Sequence, residues 1–273
     1  MTRSPSGADV AERLAVRATD GGDIAVWKDG RGPALVLVHG SIQDHTVSAR
    51  LVAQLRTEFT TYAMDRRGFG ASRDGPGYSL DREFADVAAV VDEVTARTGG
   101  PVVLWGHSFG ASCAMGGAAL TGNVSHLVLY EPSLGLSYPA GWIDRVEQAV
   151  GAGQHEEATV MVLRDLLEFT DPQLAEMRAS AEWTGRVATA PTVAREARAE
   201  QDWEYPEGLM DRITAPTLLL SGSESTPDIR RATEAARAAI PGAQVSMLEG
   251  HAHIAHRTHP AMVAGIVREF VTG

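Results

Sequence analysis

The sequence predicts an α/β protein: a mostly parallel central sheet of about eight strands flanked by helices, with a helical cap inserted between strands six and seven. Three observations carry this expectation. Short apolar runs alternate with helical patterns along most of the chain. One of these runs turns directly into a small-residue helix through a Gly-x-Ser-x-Gly pentapeptide. One long interval, residues 134–212, interrupts the alternation with helical patterns alone.

Residues 13–18 and 23–28 read as two strands joined by the Asp20-Gly21-Gly22 turn. The run ALVLVHG, residues 34–40, is continuously apolar and ends in glycine, as expected of a strand buried on both faces. Residues 60–65, 101–105, 126–130, 217–222 and 244–250 repeat that pattern. Helical segments over roughly 47–56, 80–98, 109–120, 228–239 and 260–271 separate them, which yields a parallel sheet covered on both faces. Residues 134–212 hold segments such as DRVEQAV and EEATVMVLRDLLEF, together with Trp142, Trp183 and Trp203. The expected division is therefore a core of 1–133 and 213–273, with 134–212 as a helical cap over the sheet edge; packing helices without a role at a site are the competing reading.

Composition limits the function classes. The 273 residues are 44% hydrophobic and 22% charged, an ordinary globular balance. A net charge of −11 argues against sequence-independent nucleic-acid binding, which needs a positive field to displace phosphate counterions. No run approaches the ~20 apolar residues of a membrane span, so no membrane partner is expected. The amino-terminal stretch has no apolar core after its arginine, so no secretory leader is expected. A single cysteine, Cys113, leaves no internal disulfide and no cysteine-based zinc site. A cytoplasmic enzyme fits these features; nothing in them specifies an oligomeric state.

The chemistry concentrates in PVVLWGHSFG, Pro101 to Gly110. A buried strand runs into Gly106-His107-Ser108-Phe109-Gly110, and the helix ASCAMGGAAL follows. A direct strand-to-helix turn strains its central residue, and the flanking glycines let neighbouring backbones pass close by. Ser108 is thereby presented at the carboxyl edge of the sheet, beside a helix N-terminus.

On these residues the chain resembles the α/β-hydrolase superfamily from about residue 12 to its end. VLVHGS (36–41) is similar to the family's His-Gly loop, DRRGFGAS (65–72) to the turn after its fourth strand, and LEGHAHIAH (248–256) to its Gly-x-x-His turn. The resemblance implies Ser108 as nucleophile, His253 as its base, and the amides of Ser41 and Phe109 as oxyanion donors. A serine at this position speaks against the dehalogenases and epoxide hydrolases of the fold, which place aspartate there. His251, His256 and His259 beside His253 invite a metal, but the segment holds no carboxylate after Glu249, and no metal or other cofactor is expected. DRRGFGAS lacks the lysine of a phosphate-binding loop and reads as a structural turn. Cys113 reads as core packing and His107 as a packed neighbour; Ile42, His107, Trp142, Trp183, Trp203 and His256 are the candidates to line a substrate pocket.

The acid that would orient His253 is less direct. In most relatives it follows strand seven as Gly-x-x-Asp, and here Gly222-Ser223-Glu224-Ser225 places serine there. Glu224 stands one residue early. Asp228 suits the first turn of a helix capped by Thr226 with Pro227 at its first position. Glu131, in HLVLYEPSLG, ends strand six at the same edge as Ser108, and Pro132 biases it toward extended backbone. A subset of the superfamily, including some lactonases, carries its acid there. Glu131 is the first choice, with Glu224 and Asp228 as alternatives.

The expected function is a cofactor-independent serine hydrolase acting on a small apolar ester or lactone. A lyase or cyclase on the same scaffold, and a ligand receptor that keeps the constellation, are the competing functions, because one scaffold hosts many chemistries.

Overall fold

The computed structural model describes residues 12–75, 77–201 and 203–273. The first eleven residues of the stretch read above for a leader lie outside them. β1 (Glu12–Arg17) and β2 (Asp23–Gly30) form an antiparallel hairpin. β3 (Ala34–Val38), α1 (Ala49–Leu55), β4 (Thr60–Met64), α2 (Leu80–Thr98), β5 (Val102–His107), α3 (Phe109–Ala118) and β6 (Val124–Tyr130) then alternate. Five helices follow without a strand: α4 (Trp142–Gly151), α5 (His155–Met161), α6 (Asp171–Ala179), α7 (Trp183–Ala188) and α8 (Val193–Gln201). The alternation resumes with β7 (Thr217–Gly222), α9 (Pro227–Ala239), β8 (Gln244–Leu248), the short α10 (Ala255–Thr258) and α11 (Pro260–Thr272).

The eight strands form one sheet in the order β1-β2-β4-β3-β5-β6-β7-β8, antiparallel at β1–β2 and β2–β4 and parallel from there on. Alternate residues of the central strands feed two cores, as the period of a strand requires. Val36, Leu104, Leu129 and Leu219 pack with Phe84, Val87 and Ala111 of α2 and α3. Leu37, Trp105, Val128 and Leu220 pack with Leu51, Val263 and Val267 of α1 and α11 on the other face. Each such side chain withdrawn from water contributes about 1.5–3 kcal/mol, which is why the central runs are apolar at every position.

The inserted helices have an apolar cluster of their own, built from Trp142, Val146, Leu163, Leu174, Val193 and Ala197, and Ile42 of the loop after β3 joins it. A buried ion pair ties this layer down. Arg66, at the exit of β4, donates to Glu83 of α2 at 2.9 Å and to Glu196 of α8, with its guanidinium packed over the rings of Phe69 and Phe109. Among the described residues, no helix is long and apolar enough to cross a membrane.

The register sets the site. Val38 lies opposite Gly106, His107 opposite Tyr130, and Tyr130 opposite Leu220, so β3, β5, β6 and β7 all end at one carboxyl edge. Residues of that edge and of the inserted helices line one cavity together.

Candidate active site

β5 delivers its chain to the edge and turns at once into α3 through Ser108, whose φ of 56° and ψ of −129° lie outside the ordinary regions for a residue with a Cβ. The turn holds because its backbone is bonded on both sides: Ser108 N–H donates to Tyr130 O at 2.9 Å, and Ser108 O accepts from Ala111 N–H at 2.8 Å. The glycines are needed for space. A Cβ at Gly106 would lie 2.5 Å from Gly110 O, and one at Gly110 would lie 2.5 Å from Val38 O. Phe109 opens α3, where an amide has no partner within the helix.

Glu131 and His253 meet across the same edge. Glu131 Oε2 and His253 Nδ1 are 2.6 Å apart, and Glu131 Oε1 accepts from Gly222 N–H at 2.7 Å. Both side chains are buried. The backbone of Glu131 departs from expectation: it is left-handed, with φ of 48°, rather than extended. Pro132 disfavours the right-handed helical conformation, but tertiary partners make the choice among the rest. Glu131 N–H continues the ladder to Leu220 O at 3.1 Å while its carboxylate turns back to reach Gly222 and His253. The turn carrying His253 is clamped from below. His107 Nε2 bonds His253 O at 2.8 Å, and the Tyr130 hydroxyl donates to Ala252 O and accepts from Ala255 N–H.

Ile42, Ser108 and Glu131 are three of the four non-glycine residues with positive φ among the described residues. Conformations of this kind cost about 1–3 kcal/mol each and persist only where surroundings over-determine them. Here they gather at one sheet edge.

The two alternative carboxylates lie elsewhere. Glu224 is exposed. Asp228 occupies the first turn of α9, paired with Arg231 at 2.7 Å, behind a Thr226 N-cap that accepts from Ile229 N–H. Ser225, at the position where an acid was sought, is a buried hydroxyl. What this turn supplies to Glu131 is the Gly222 amide.

Ser41, Ile42, His107, Ser108 and His253 line one cavity together. Its apolar wall comes from the inserted segment, with Val162, Leu163, Leu166, Leu167, Phe169 and Met177. Among the described residues Ser108 Oγ makes no hydrogen bond; the serine and His253 both line this cavity.

The three tryptophans expected in the wall are placed outside it. Trp142 is fully buried within the inserted layer, stacked on Tyr138 with ring centroids 5.6 Å apart and donating to Asp165 at 3.0 Å. Trp183 packs beside Arg178, and Trp203 stands edge-on to Phe84 and Tyr205. Aliphatic side chains of the inserted segment face the cavity instead. His256 likewise lies behind the wall, 4.1 Å from the His107 ring, and burial holds both imidazoles well below the ordinary histidine pKa. The rings of His251 and His259 pack against each other at a tilt of 57°. A further group, Asp44, His45 and Asp65, is close enough to share an ion, but its atoms bond one another and nearby amides. His45 Nδ1 lies 2.8 Å from Asp65, which also accepts from Trp27 Nε1 and Ala71 N–H, fastening the turn after β4.

Several polar residues of the cavity escaped the sequence analysis: Gln43, Ser133, Tyr138, Arg186 and Glu200. Glu200 is buried and accepts from the Ser133 hydroxyl and, at 2.6 Å, from the Tyr138 hydroxyl. Burial, with Glu196 adding repulsion, raises its pKa from 4.5 to about 7. The folded chain therefore keeps a proton that the unfolded chain releases between these values. The associated stability is full below pH 4.5 and lost as the pH rises through about 7. Glu200→Gln should remove that dependence. In urea unfolding, the stability of the variant relative to the parent should rise by roughly 3 kcal/mol between pH 4.5 and pH 8. A difference independent of pH would refute this.

The chain is similar to known proteins over most of its length. A model of the alpha/beta hydrolase family matches residues 35–266. The chain is similar to a pimeloyl-[acyl-carrier protein] methyl ester esterase of Stenotrophomonas maltophilia, 27% identical over 254 residues, covering 89% of this chain and 94% of that protein. It is also similar to lipase LipV of Mycobacterium tuberculosis, 30% identical over 211 residues, covering 76% and 73% of the two chains. Among solved structures, an alpha/beta hydrolase of Sphaerobacter thermophilus superposes with a TM-score of 0.80 at 28% identity, over 94% of this chain and 99% of that one.

Proposed function

Because the chain belongs to the alpha/beta hydrolase family, we propose that it cleaves a carboxylic ester through an acyl-enzyme formed on Ser108. In this reading His253 is the general base, Glu131 orients it, and the amides of Ser41 and Phe109 receive the developing oxyanion. The observation that carries the proposal is the Gly222–Glu131–His253 chain of hydrogen bonds, 2.7 and 2.6 Å long, ending in the cavity that Ser108 lines.

The chemistry follows from that arrangement. A carboxylate accepting from Nδ1 keeps the proton there, so Nε2 of His253 has its lone pair free to take the serine proton as Oγ attacks. The same nitrogen then returns the proton to the leaving alcohol, and a water repeats the sequence on the acyl-enzyme. Amides at a helix N-terminus stabilise charge present only in the tetrahedral state, about 10²–10³ in rate for one donor. The inserted helices act as a cap, and their aliphatic wall receives the apolar part of the substrate. Two relatives are named for cleavage of a methyl ester and as a lipase, which agrees with this reading. A lactone is an internal ester and is open to the same attack.

Turnover of short p-nitrophenyl esters and lactones in ¹⁸O-water tests the reaction type. Hydrolysis places one ¹⁸O in the acid product per turnover. Turnover to an unlabelled product would point instead to a lyase or cyclase, and binding without turnover to a receptor.

A further inference from the structure

Four arginines are buried among the described residues: Arg66, Arg67, Arg186 and Arg257. Three have carboxylate partners. Arg66 meets Glu83 and Glu196, Arg67 meets Asp86 and Asp20, and Arg257 meets Glu182 at 3.3 Å. Arg186, on α7 and only 4% exposed, has none. Its one hydrogen bond is a long donation from Nη1 to Ile42 O at 3.5 Å, and its Nε–H is buried without an acceptor. The charged groups around it are Arg257, which repels it, and Glu182 and Asp44, which favour its charge from a neighbouring cleft without pairing with it; Glu182 pairs with Arg257. Burial first, then repulsion from Arg257, lowers the Arg186 pKa to about 10, a sign that the cation is poorly compensated. Arg186 nonetheless stays a cation at neutral pH.

Arg186 lines the same cavity as Ser108, and beside it in the wall is a second unpaired group, Gln43, whose Oε1 is buried without a donor. The side-chain amide of Gln43 can turn over to present its N–H₂ instead. The Ile42 carbonyl that meets Arg186 belongs to the residue following Ser41 in the loop after β3. A buried cation with no ion-pair partner, in the wall of the cavity that Ser108 lines, can receive an anion that arrives from outside. The same cavity also holds Glu200, bonded to the Ser133 and Tyr138 hydroxyls.

We propose that Arg186, assisted by Gln43, binds a carboxylate on the substrate, so that the enzyme acts on esters carrying a free carboxylate: half-esters of short dicarboxylic acids, or lactones of the same kind. This inference rests on the reading of Ser108 as the hydrolytic nucleophile. The guanidinium reaches the carbonyl of Ile42, the residue after Ser41, which on this proposal sets the carboxylate a few carbons from the carbonyl under attack.

The test compares monomethyl glutarate with the neutral dimethyl glutarate, read as the ratio of their kcat/KM values. The native enzyme should favour the half-ester at least about tenfold, and Arg186→Met should lower the ratio about a hundredfold, chiefly through KM of the half-ester. Arg186→Lys should fall between the two, because a point cation replaces a fork. A native preference for the diester, or a ratio unmoved in Arg186→Met, would overturn the proposal. Calorimetric titration of the native chain with glutarate, against the neutral glutaramide, reads the site without catalysis and without any variant. Glutarate binding with glutaramide silent supports the site even if Ser108→Ala still hydrolyses esters, an outcome that would fail the nucleophile assignment alone. Equal binding of both, or of neither, would overturn the carboxylate site while leaving the Ser108 assignment standing.

Discussion

Replacement of Ser108 by alanine is expected to lower kcat for ester hydrolysis by about 10⁶-fold, near the loss seen when a serine nucleophile is removed elsewhere. Alanine keeps the Cβ, and therefore meets the same strain at φ of 56° that serine already meets. The backbone bonds from Ser108 to Tyr130 and Ala111 do not involve the hydroxyl. Melting temperature should accordingly stay within a few degrees of the parent. On the proposed mechanism the residual rate should remain above the solvent rate, because the amides of Ser41 and Phe109 would still polarise a bound carbonyl. A variant that keeps more than a tenth of the parent activity would remove Ser108 from the mechanism.

Glu131→Gln is expected to lower kcat by about 10⁴-fold with little change in KM. The reason lies in the two bonds of the carboxylate. Gly222 N–H needs an acceptor, so the glutamine oxygen stays on that side and its N–H₂ faces His253 Nδ1. That nitrogen must then accept, which moves the imidazole proton to Nε2 and leaves no lone pair toward the serine. Glu224→Gln and Asp228→Asn should each stay within about twofold, since one is exposed and the other is paired with Arg231 at the start of α9. Parallel kinetics on the three variants checks the ranking. A larger loss at Glu224 or Asp228 than at Glu131 would reassign the acid.

The elements that local chemistry dictates were readable in the sequence. Continuous apolar runs marked the central strands because a parallel sheet buries both faces, and the Gly-His-Ser-Phe-Gly turn marked itself because only glycine fits where backbones cross. Serine at position 225 sent the search for a carboxylate to Glu131, and the structure places Glu131 against His253. The backbone conformation of Glu131 was not readable, because it is set by Leu220, Gly222 and His253, three partners distant in sequence.

The inserted helices were read least well, for a related reason. Which face of each helix meets the cavity depends on how the helices pack together, so Trp142 is buried within the layer while aliphatic residues form the wall. AREARAEQ looks like a solvated helix, yet Glu196 and Glu200, four residues apart, share its buried face with Ala197. A charge on the apolar stripe was the available signal for both. Arg186 gave no comparable sign, as its meaning comes from the carboxylates it lacks rather than from its neighbours in the chain.

Labelling with a fluorophosphonate reads the nucleophile directly. One phosphonyl group per chain should be found by peptide mapping on Ser108, with esterase activity lost in proportion and no labelling in Ser108→Ala. Modification at another residue, or full labelling of Ser108 with ester hydrolysis unimpaired, would show that the reaction does not pass through this serine.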